Sequence, residues 1–260
     1  MSSAVAGPLV DAARNALGPV GVCLPVSFTS NPRADLQREA ARRLEDAGCR
    51  AVWTNEVIGK DALVQLATLL SATGSMAFGT CIANIWARPA QTMHAAAAQL
   101  AQAYPGRFVL GLGVGYPEQA ASVGQEFGSP LTTMREYVNR MDSPTWPPAP
   151  DAPYPRIIAA NGPKMLELAG DIADGALPAM LPAAFTAHAR QTLGPDKLLV
   201  VGVSVEGDPI DSTAVVAQVG EQLTAGADHV TLLLPIGIEF TSGIRQLERL
   251  AATLAALPGC

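Results

Sequence analysis

A turn near the middle of the chain combines residue types that bind anions. Asn161 is a good helix N-cap, and Pro163 suits the first helical position, where no backbone N–H is needed. The turn is therefore predicted to join a strand, Arg156 to Ala160, to a helix whose free N–H groups, with the charge of Lys164, favour a phosphate. The alternative is an ordinary strand-to-helix turn, which the local pattern by itself favours.

A run of alternating glycines is the second candidate. Gly111, Gly113 and Gly115 remove side chains from one face of a predicted strand. A flat ring is then able to lie against the backbone, whereas the alternative is tight packing at the centre of the fold. The sequence gives these two interpretations about equal weight.

The composition argues against several classes of function. The chain has 260 residues, 49% of them hydrophobic, and 17 basic and 23 acidic residues give a formal charge of -6. That charge, without a basic run, argues against a nucleic-acid partner. The four cysteines are scattered, with no CxxC pair, so no metal site is expected and a reduced cytoplasmic interior is favoured. No stretch suits a membrane span, and residues 1–17 lack the pattern of a signal peptide.

Eight apolar segments alternate with helical patterns along the chain. This alternation predicts an α/β fold, a (β/α)₈ TIM barrel. A doubly wound open sheet is the alternative, but no GxGxxG fingerprint follows the first segment. We expect residues 1–19 to be an N-terminal extension and residues 20–260 to form a single barrel domain. The predicted strands are Val20 to Pro25, Ala51 to Thr54, Met76 to Asn84, Arg107 to Gly115, Arg156 to Ala160, Gly175 to Met180, Leu198 to Val205 and His229 to Pro235.

In such a barrel the chemistry takes place at the carboxyl ends of the strands. None of the three histidines is predicted to lie there, so a histidine acid or base is not expected. The histidines are His94, His188 and His229. The strand ends carry other polar groups, namely Asn55, Glu56, Lys60, Asn84, Arg88, Tyr116, Glu118, Asn161, Lys164 and Glu206.

Five stretches of the sequence, in their order along the chain, resemble the luciferase-like monooxygenase superfamily. They look most like the branch that uses the deazaflavin coenzyme F420, and the resemblance extends over nearly the whole chain from Val20. Each stretch alone is weak, and the specificity comes from the set. The stretches are Val52 to Asp61, Gly79 to Arg88, Gly106 to Gly115, Ala159 to Ala169 and Ala225 to Val230.

The resemblance implies a luciferase-like barrel and roles for particular residues. Relatives have a bulge in the third strand with a cis peptide bond behind the cofactor ring, which here falls near Cys81. The residues that it implies around the ring are Asn55, Cys81, Ile82, Ala83, Asn84, Gly113 and Gly115. The turn that holds the cofactor phosphate in relatives is matched by Ala160, Asn161, Gly162, Pro163, Lys164 and Met165.

The chain departs from its relatives in two places. Many F420 enzymes of the superfamily carry a histidine after the second strand, where this chain has Asn55 and Glu56. We therefore predict Glu56 as the catalytic acid, because a partly desolvated carboxyl group has a raised pKa. The alternative is that Glu56 pairs with Lys60 and only orders the loop. The segment from residue 194 to residue 212 is also short, which implies a more open pocket or a partner subunit that covers it.

The resemblance implies hydride transfer between coenzyme F420 and a small organic substrate. The alternatives are an FMN-dependent monooxygenase of the same superfamily and a barrel that binds a flavin or F420 without turnover. We expect a cytoplasmic protein with a small-molecule substrate, no metal, no nucleic acid and no membrane partner. A homodimer is the assembly that we consider.

Overall fold

The centre of the protein is a closed barrel of parallel strands. The computed structural model describes residues 6–57, 59–207 and 210–254. Its strands are β1 (Val20–Cys23), β2 (Ala51–Thr54), β3 (Ala77–Thr80), β4 (Ala83–Asn84), β5 (Phe108–Gly113), β6 (Arg156–Ala159), β7 (Gly175–Leu177), β8 (Leu198–Ser204) and β9 (His229–Leu233). The sheet runs β3-β2-β1-β9-β8-β7-β6-β5-β4, and β3 also pairs with β5, which closes the ring. Because β3 and β4 are two pieces of one interrupted strand, the described segments occupy eight strand positions, and the predicted (β/α)₈ barrel is confirmed.

Helices follow every strand position of the described barrel, and two helices separate β5 from β6. The helices are α1 (Ala6–Leu17), α2 (Ala34–Asp46), α3 (Ala62–Leu70), α4 (Ala90–Ala103), α5 (Pro117–Ser122), α6 (Pro130–Met141), α7 (Pro163–Ile172), α8 (Ala183–Leu193), α9 (Ser212–Thr224) and α10 (Phe240–Leu254). None of the helices in the described ranges has the length and apolar character needed to cross a membrane.

One indole ring fills the middle of the barrel. Trp53 is fully buried, and Gly79 on the next strand makes room for it, because a Cβ there would overlap the indole ring. The indole Nε1 donates to Nε2 of His229 at 2.9 Å, and Nδ1 of His229 donates to the carbonyl of Gly18 at 2.7 Å. Burial lowers the pKa of His229 to about 4, so the imidazole is neutral at pH 7.

Helix α1 closes the amino-terminal end of the barrel. Its residues Val10, Ala13 and Leu17 are buried in the same apolar cluster as Trp53. Arg14 bonds the carbonyl of Lys197 at 3.0 Å and pairs with Asp228 at 3.0 Å, just before β8 and β9. Most of the segment that the sequence assigned to an N-terminal extension is thus a helix packed into the barrel. The carboxyl end of the barrel is the end available for ligands.

Candidate active site

The interruption between β3 and β4 lies at the carboxyl end of the barrel. The Cys81–Ile82 peptide bond is cis, at the position that the resemblance implied. The N–H of Cys81 donates to the carbonyl of Thr54 at 2.8 Å, which ties the interruption to the end of β2. Its Sγ lies 3.2 Å from Sγ of Cys23 at the end of β1. These two thiols lie together on the floor of the open end.

Glu56 is buried just above this floor, and its carboxylate is held by several donors. Oε1 accepts from the N–H of Ala62 at 2.9 Å, and Oε2 accepts from the N–H of Asn84 at 2.8 Å. Both oxygens also accept from the guanidinium of Arg88. The side chains of this ion pair are only 3% and 8% exposed. Glu56 therefore joins the start of α3, strand β4 and the loop before α4.

The pairing of Glu56 with Lys60 that the sequence offered is not the one present. The partner of Glu56 is Arg88, because its planar guanidinium reaches both Glu56 and Asp61. Oδ2 of Asp61 lies 2.9 Å from Nη2 of Arg88. Burial opposes the charge of Arg88, but the two carboxylates raise its pKa above the usual value. Nζ of Lys60 donates instead to Oδ1 of Asn55 at 2.7 Å.

A cleft opens beside this ion pair, between the loops that follow β2, β4 and β5. Trp86 forms part of its wall, fixed by donation from its Nε1 to the carbonyl of Val114 at 2.7 Å. Oδ1 of Asn84 accepts from the N–H of Trp86 at 2.9 Å. The polar lining is Glu56, Lys60, Asp61, Asn84, Arg88, Gln119 and Ser122. In the ranges that the structure covers, no three His, Cys, Asp or Glu side chains are grouped to hold a metal ion.

The turn before α7 differs from the prediction in one residue. Pro163 is the first helical residue as predicted, but the N-cap is Gly162 and not Asn161. Oδ1 of Asn161 accepts from the N–H of Ala179 at 2.9 Å, so this side chain joins the turn to the loop after β7. As a result no side chain caps the first turn of α7, and Lys164 lies exposed beside its N–H groups.

The two glycines expected to border a ring have neighbours from their own chain. A Cβ at Gly113 would lie 2.6 Å from Cγ1 of Ile82, and one at Gly115 would lie 3.0 Å from Nδ2 of Asn84. Gly115 also has φ of 58°, a conformation that favours glycine. These contacts favour the packing interpretation of both residues.

The sequence named Arg88 and Lys60 as strand-end groups but gave neither a role toward a ligand. The available signal was a set of two acids and two bases that follow two neighbouring strand positions, namely Glu56, Asp61, Lys60 and Arg88. The structure brings these four together around the interrupted strand. The predicted phosphate turn follows β6, which pairs with β5 on the other side of the interruption.

Residues 19–194 match the model of a protein family described as luciferase-like monooxygenase. This span covers more than half of the chain. The chain belongs to the luciferase-like monooxygenase family. The family match includes the interrupted strand, the Glu56–Arg88 pair and the turn before α7.

Two relatives in this family and one solved structure describe the similarity further. A Mycobacterium tuberculosis protein, whose naming as a coenzyme F420-dependent oxidoreductase is itself provisional, is 31% identical over 172 residues, 54% of this chain and 50% of that protein. A 5,10-methylenetetrahydromethanopterin reductase of Methanolobus tindarius is 30% identical over 155 residues, 53% of this chain and 48% of that protein. The chain thus spans about half the length of the curated relatives it matches.

The solved structure is an F420-dependent secondary alcohol dehydrogenase in complex with an F420-acetone adduct. It superposes with a TM-score of 0.73 at 17% identity and covers 90% of this chain and 99% of its own. At that identity the likeness describes the fold alone.

Proposed function

We propose that this protein is a coenzyme F420-dependent oxidoreductase that transfers hydride between the deazaflavin and a small organic substrate. The observation that carries the proposal is the family match together with the two sequence relatives, of which one is named as a coenzyme F420-dependent oxidoreductase and the other as a reductase. The carboxyl end of the barrel is the expected place for this chemistry, since active sites of such barrels lie there.

The residues present fit a cofactor that has an anionic tail and a flat ring. The first turn of α7 has no side-chain cap, and this leaves N–H groups and the charge of Lys164 for a phosphate. Around the interrupted strand, Cys81, Ile82 and Ala83 form the floor on which we propose that the ring lies, with Asn55 and Asn84 beside it. Ala160 to Met165 form the phosphate side of the proposed site.

The cofactor supplies the hydride chemistry when it is bound, and the chain supplies position and charge. Glu56 holds the N–H groups of Ala62 and Asn84, so it fixes the loop after β2 against β4. Arg88 keeps that carboxylate paired and hydrogen-bonded. Glu56 as the proton donor stays a prediction, and its contacts with Ala62, Asn84 and Arg88 support a positioning role, because they hold both carboxylate oxygens.

Gly113 and Gly115 stay in the proposed site in a changed role. Because their missing side chains make room for Ile82, Asn84 and Gln119, we propose that they shape the floor through these neighbours. The ring would then lie against those side chains and not against bare backbone.

The test of the proposed function is turnover of F420 itself. The purified protein is mixed with oxidised F420 and each member of a panel of secondary alcohols, and with reduced F420 and the matching ketones. Loss or gain of deazaflavin absorbance that depends on both protein and substrate supports the proposal. Oxygen consumption with reduced FMN, without turnover of F420, would favour the monooxygenase. Binding of F420 without turnover on a broad panel of substrates would favour a carrier.

Two proposals concern the setting of the protein. We propose a homodimer, because the short segment from residue 194 to residue 212 implies a more open carboxyl end of the barrel, which a second copy would cover. We also propose a cytoplasmic location, supported by the scattered cysteines, which form no CxxC pair and fit a reducing compartment. Sedimentation velocity measures the first, and fractionation of the source cells measures the second.

A further inference from the structure

The open end of the barrel holds a lysine whose ammonium contacts no carboxylate among the described residues. Nζ of Lys60 donates to two neutral oxygens, Oδ1 of Asn55 at 2.7 Å and Oγ1 of Thr54 at 3.2 Å. The salt bridges found in the described ranges do not include Lys60. Its side chain is half-buried, so water solvates the ammonium only in part.

The acids nearest to Lys60 bind a different cation. Glu56 and Asp61 both bind the guanidinium of Arg88. An ammonium that is partly removed from water and has no direct contact with an anion costs free energy, which contact with a negative ligand oxygen would offset in part. Arg88 therefore shares its one positive charge between Glu56 and Asp61, and Lys60 brings the net charge of the four groups to zero without touching either carboxylate.

The backbone and the surrounding groups fix where this charge lies. The N–H of Lys60 donates to the carbonyl of Val57 at 2.9 Å, and the two residues form an antiparallel bridge around Gly59, whose φ is 87°. Burial lowers the pKa of Lys60, and the neighbouring Cys23, Cys81 and Glu56 oppose this shift. Oγ1 of Thr54 accepts from Nζ of Lys60, and the carbonyl of Thr54 accepts from the N–H of Cys81, so the ammonium is held near the interrupted strand.

We propose that Lys60 provides the positive charge for a negative oxygen of the ligand at the reacting centre. The inference rests on the proposed function and deepens it. The negative oxygen has two sources, the ring system of the reduced cofactor or a substrate carbonyl that accepts hydride. A cation fixed before the reaction stabilises charge that develops during it.

The two sources differ in what happens to the proton. When a carbonyl carbon accepts the hydride, a C–H bond forms, the electron pair of the C=O bond moves to oxygen, and that oxygen takes a proton from the Lys60 ammonium. Water then returns a proton to the amine. When the ring carries the negative charge, Lys60 remains protonated and acts only through its charge. A lowered pKa suits the first role, because the ammonium is then the stronger acid.

The sequence makes the charge of Lys60 directly measurable, because the chain has only three lysines, Lys60, Lys164 and Lys197. Reductive dimethylation with ¹³C-formaldehyde labels each one, and the Lys60→Met variant assigns its NMR signal. We expect the Lys60 signal of the ligand-free protein to titrate below the usual value of about 10.4. Lys197 is the matched control, since it is half-buried at the opposite end of the barrel and bonds the carbonyl of Ala173 at 2.6 Å.

Unmodified variants then identify the source of the negative oxygen. If the ring is the source, Lys60→Met lowers the affinity for reduced F420 at least tenfold (about 1.4 kcal/mol), changes that for oxidised F420 less than about threefold, and Lys60→Arg restores binding. If the substrate is the source, both affinities stay within about threefold, turnover falls by about 100-fold or more, and the alkaline limb of the pH profile disappears. Lys197→Met should change neither.

The inference is overturned by a Lys60 pKa at its usual value in the ligand-free protein, whatever cofactor binds. It is equally overturned if a folded Lys60→Met protein keeps the wild-type affinity ratio and turnover. Failure of the wild-type protein to bind F420 would instead remove the proposed function, and the titration would still report whether burial lowers the pKa of Lys60.

Discussion

Removal of Arg88 should destabilise the protein strongly, because Glu56 would keep a buried charge without its partner. The side chains of the two residues are 3% and 8% exposed, and removing one partner of a buried ion pair costs about 3–5 kcal/mol. In Arg88→Met the carboxylate keeps the N–H groups of Ala62 and Asn84, so we expect the lower end, about 3 kcal/mol. For a chain of this size that corresponds to a fall in Tm of roughly 6–12 °C.

Urea unfolding of the wild type and of three variants measures this effect. Arg33→Met is the matched control, because Arg33 pairs with Asp35 at 2.8 Å on the surface, with side chains 80% and 52% exposed. Its loss should leave the urea midpoint close to that of the wild type, because exposed ion pairs contribute little to stability. The double variant Glu56→Gln with Arg88→Met should be more stable than Arg88→Met alone, because the carboxylate left without its partner is then also removed. A loss below about 1 kcal/mol for Arg88→Met would refute the role of this pair.

Four further predictions concern the site and the core. Lys164→Glu should weaken F420 binding at least tenfold, about 1.4 kcal/mol, as titration of the apo protein measures, and unchanged affinity in a folded variant would move the phosphate elsewhere. Glu56→Gln should reduce turnover by roughly 10²–10⁴ with little change in F420 affinity if Glu56 donates the proton, and wild-type turnover would discard that role. His229 is neutral when folded, with a pKa of about 4 against about 6.5 unfolded, so stability is full above pH 6.5 and falls by about 3 kcal/mol toward pH 4; flat urea midpoints over that range would contradict this. Gly113→Val should lower the free energy of unfolding by about 1–3 kcal/mol because its side chain meets Ile82, and a stable variant that fails to bind F420 would restore the interpretation of a bare wall for the ring.

The elements were predictable because their signals are local. Alternating apolar strands and helices predict the barrel, and Asp61 begins α3 through an Asx cap that accepts from the N–H groups of Leu63 and Val64. Pro163 marks the first residue of α7 for the same kind of reason. The cis peptide at Cys81 followed from family resemblance and from nothing in local propensity.

The site was less predictable because its contacts join distant residues. Glu56 finds Arg88 thirty-two positions away, and Asn161 bonds Ala179 in place of capping its own helix. Spacing rules describe neighbours on one element. They therefore suggested Lys60 as the partner of Glu56 and a helix-capping role for Asn161. The packing of α1 under the barrel likewise depends on an interior that only the closed sheet creates.

The identity of the cofactor is the central claim, and one equilibrium measurement tests it most directly. The apo protein is titrated with F420 and, in parallel, with FMN under the same buffer and salt, and the two dissociation constants are compared. We expect saturable binding of F420 at least tenfold tighter than that of FMN, a difference of about 1.4 kcal/mol. FMN that binds as tightly as F420 or more tightly would contradict the assignment.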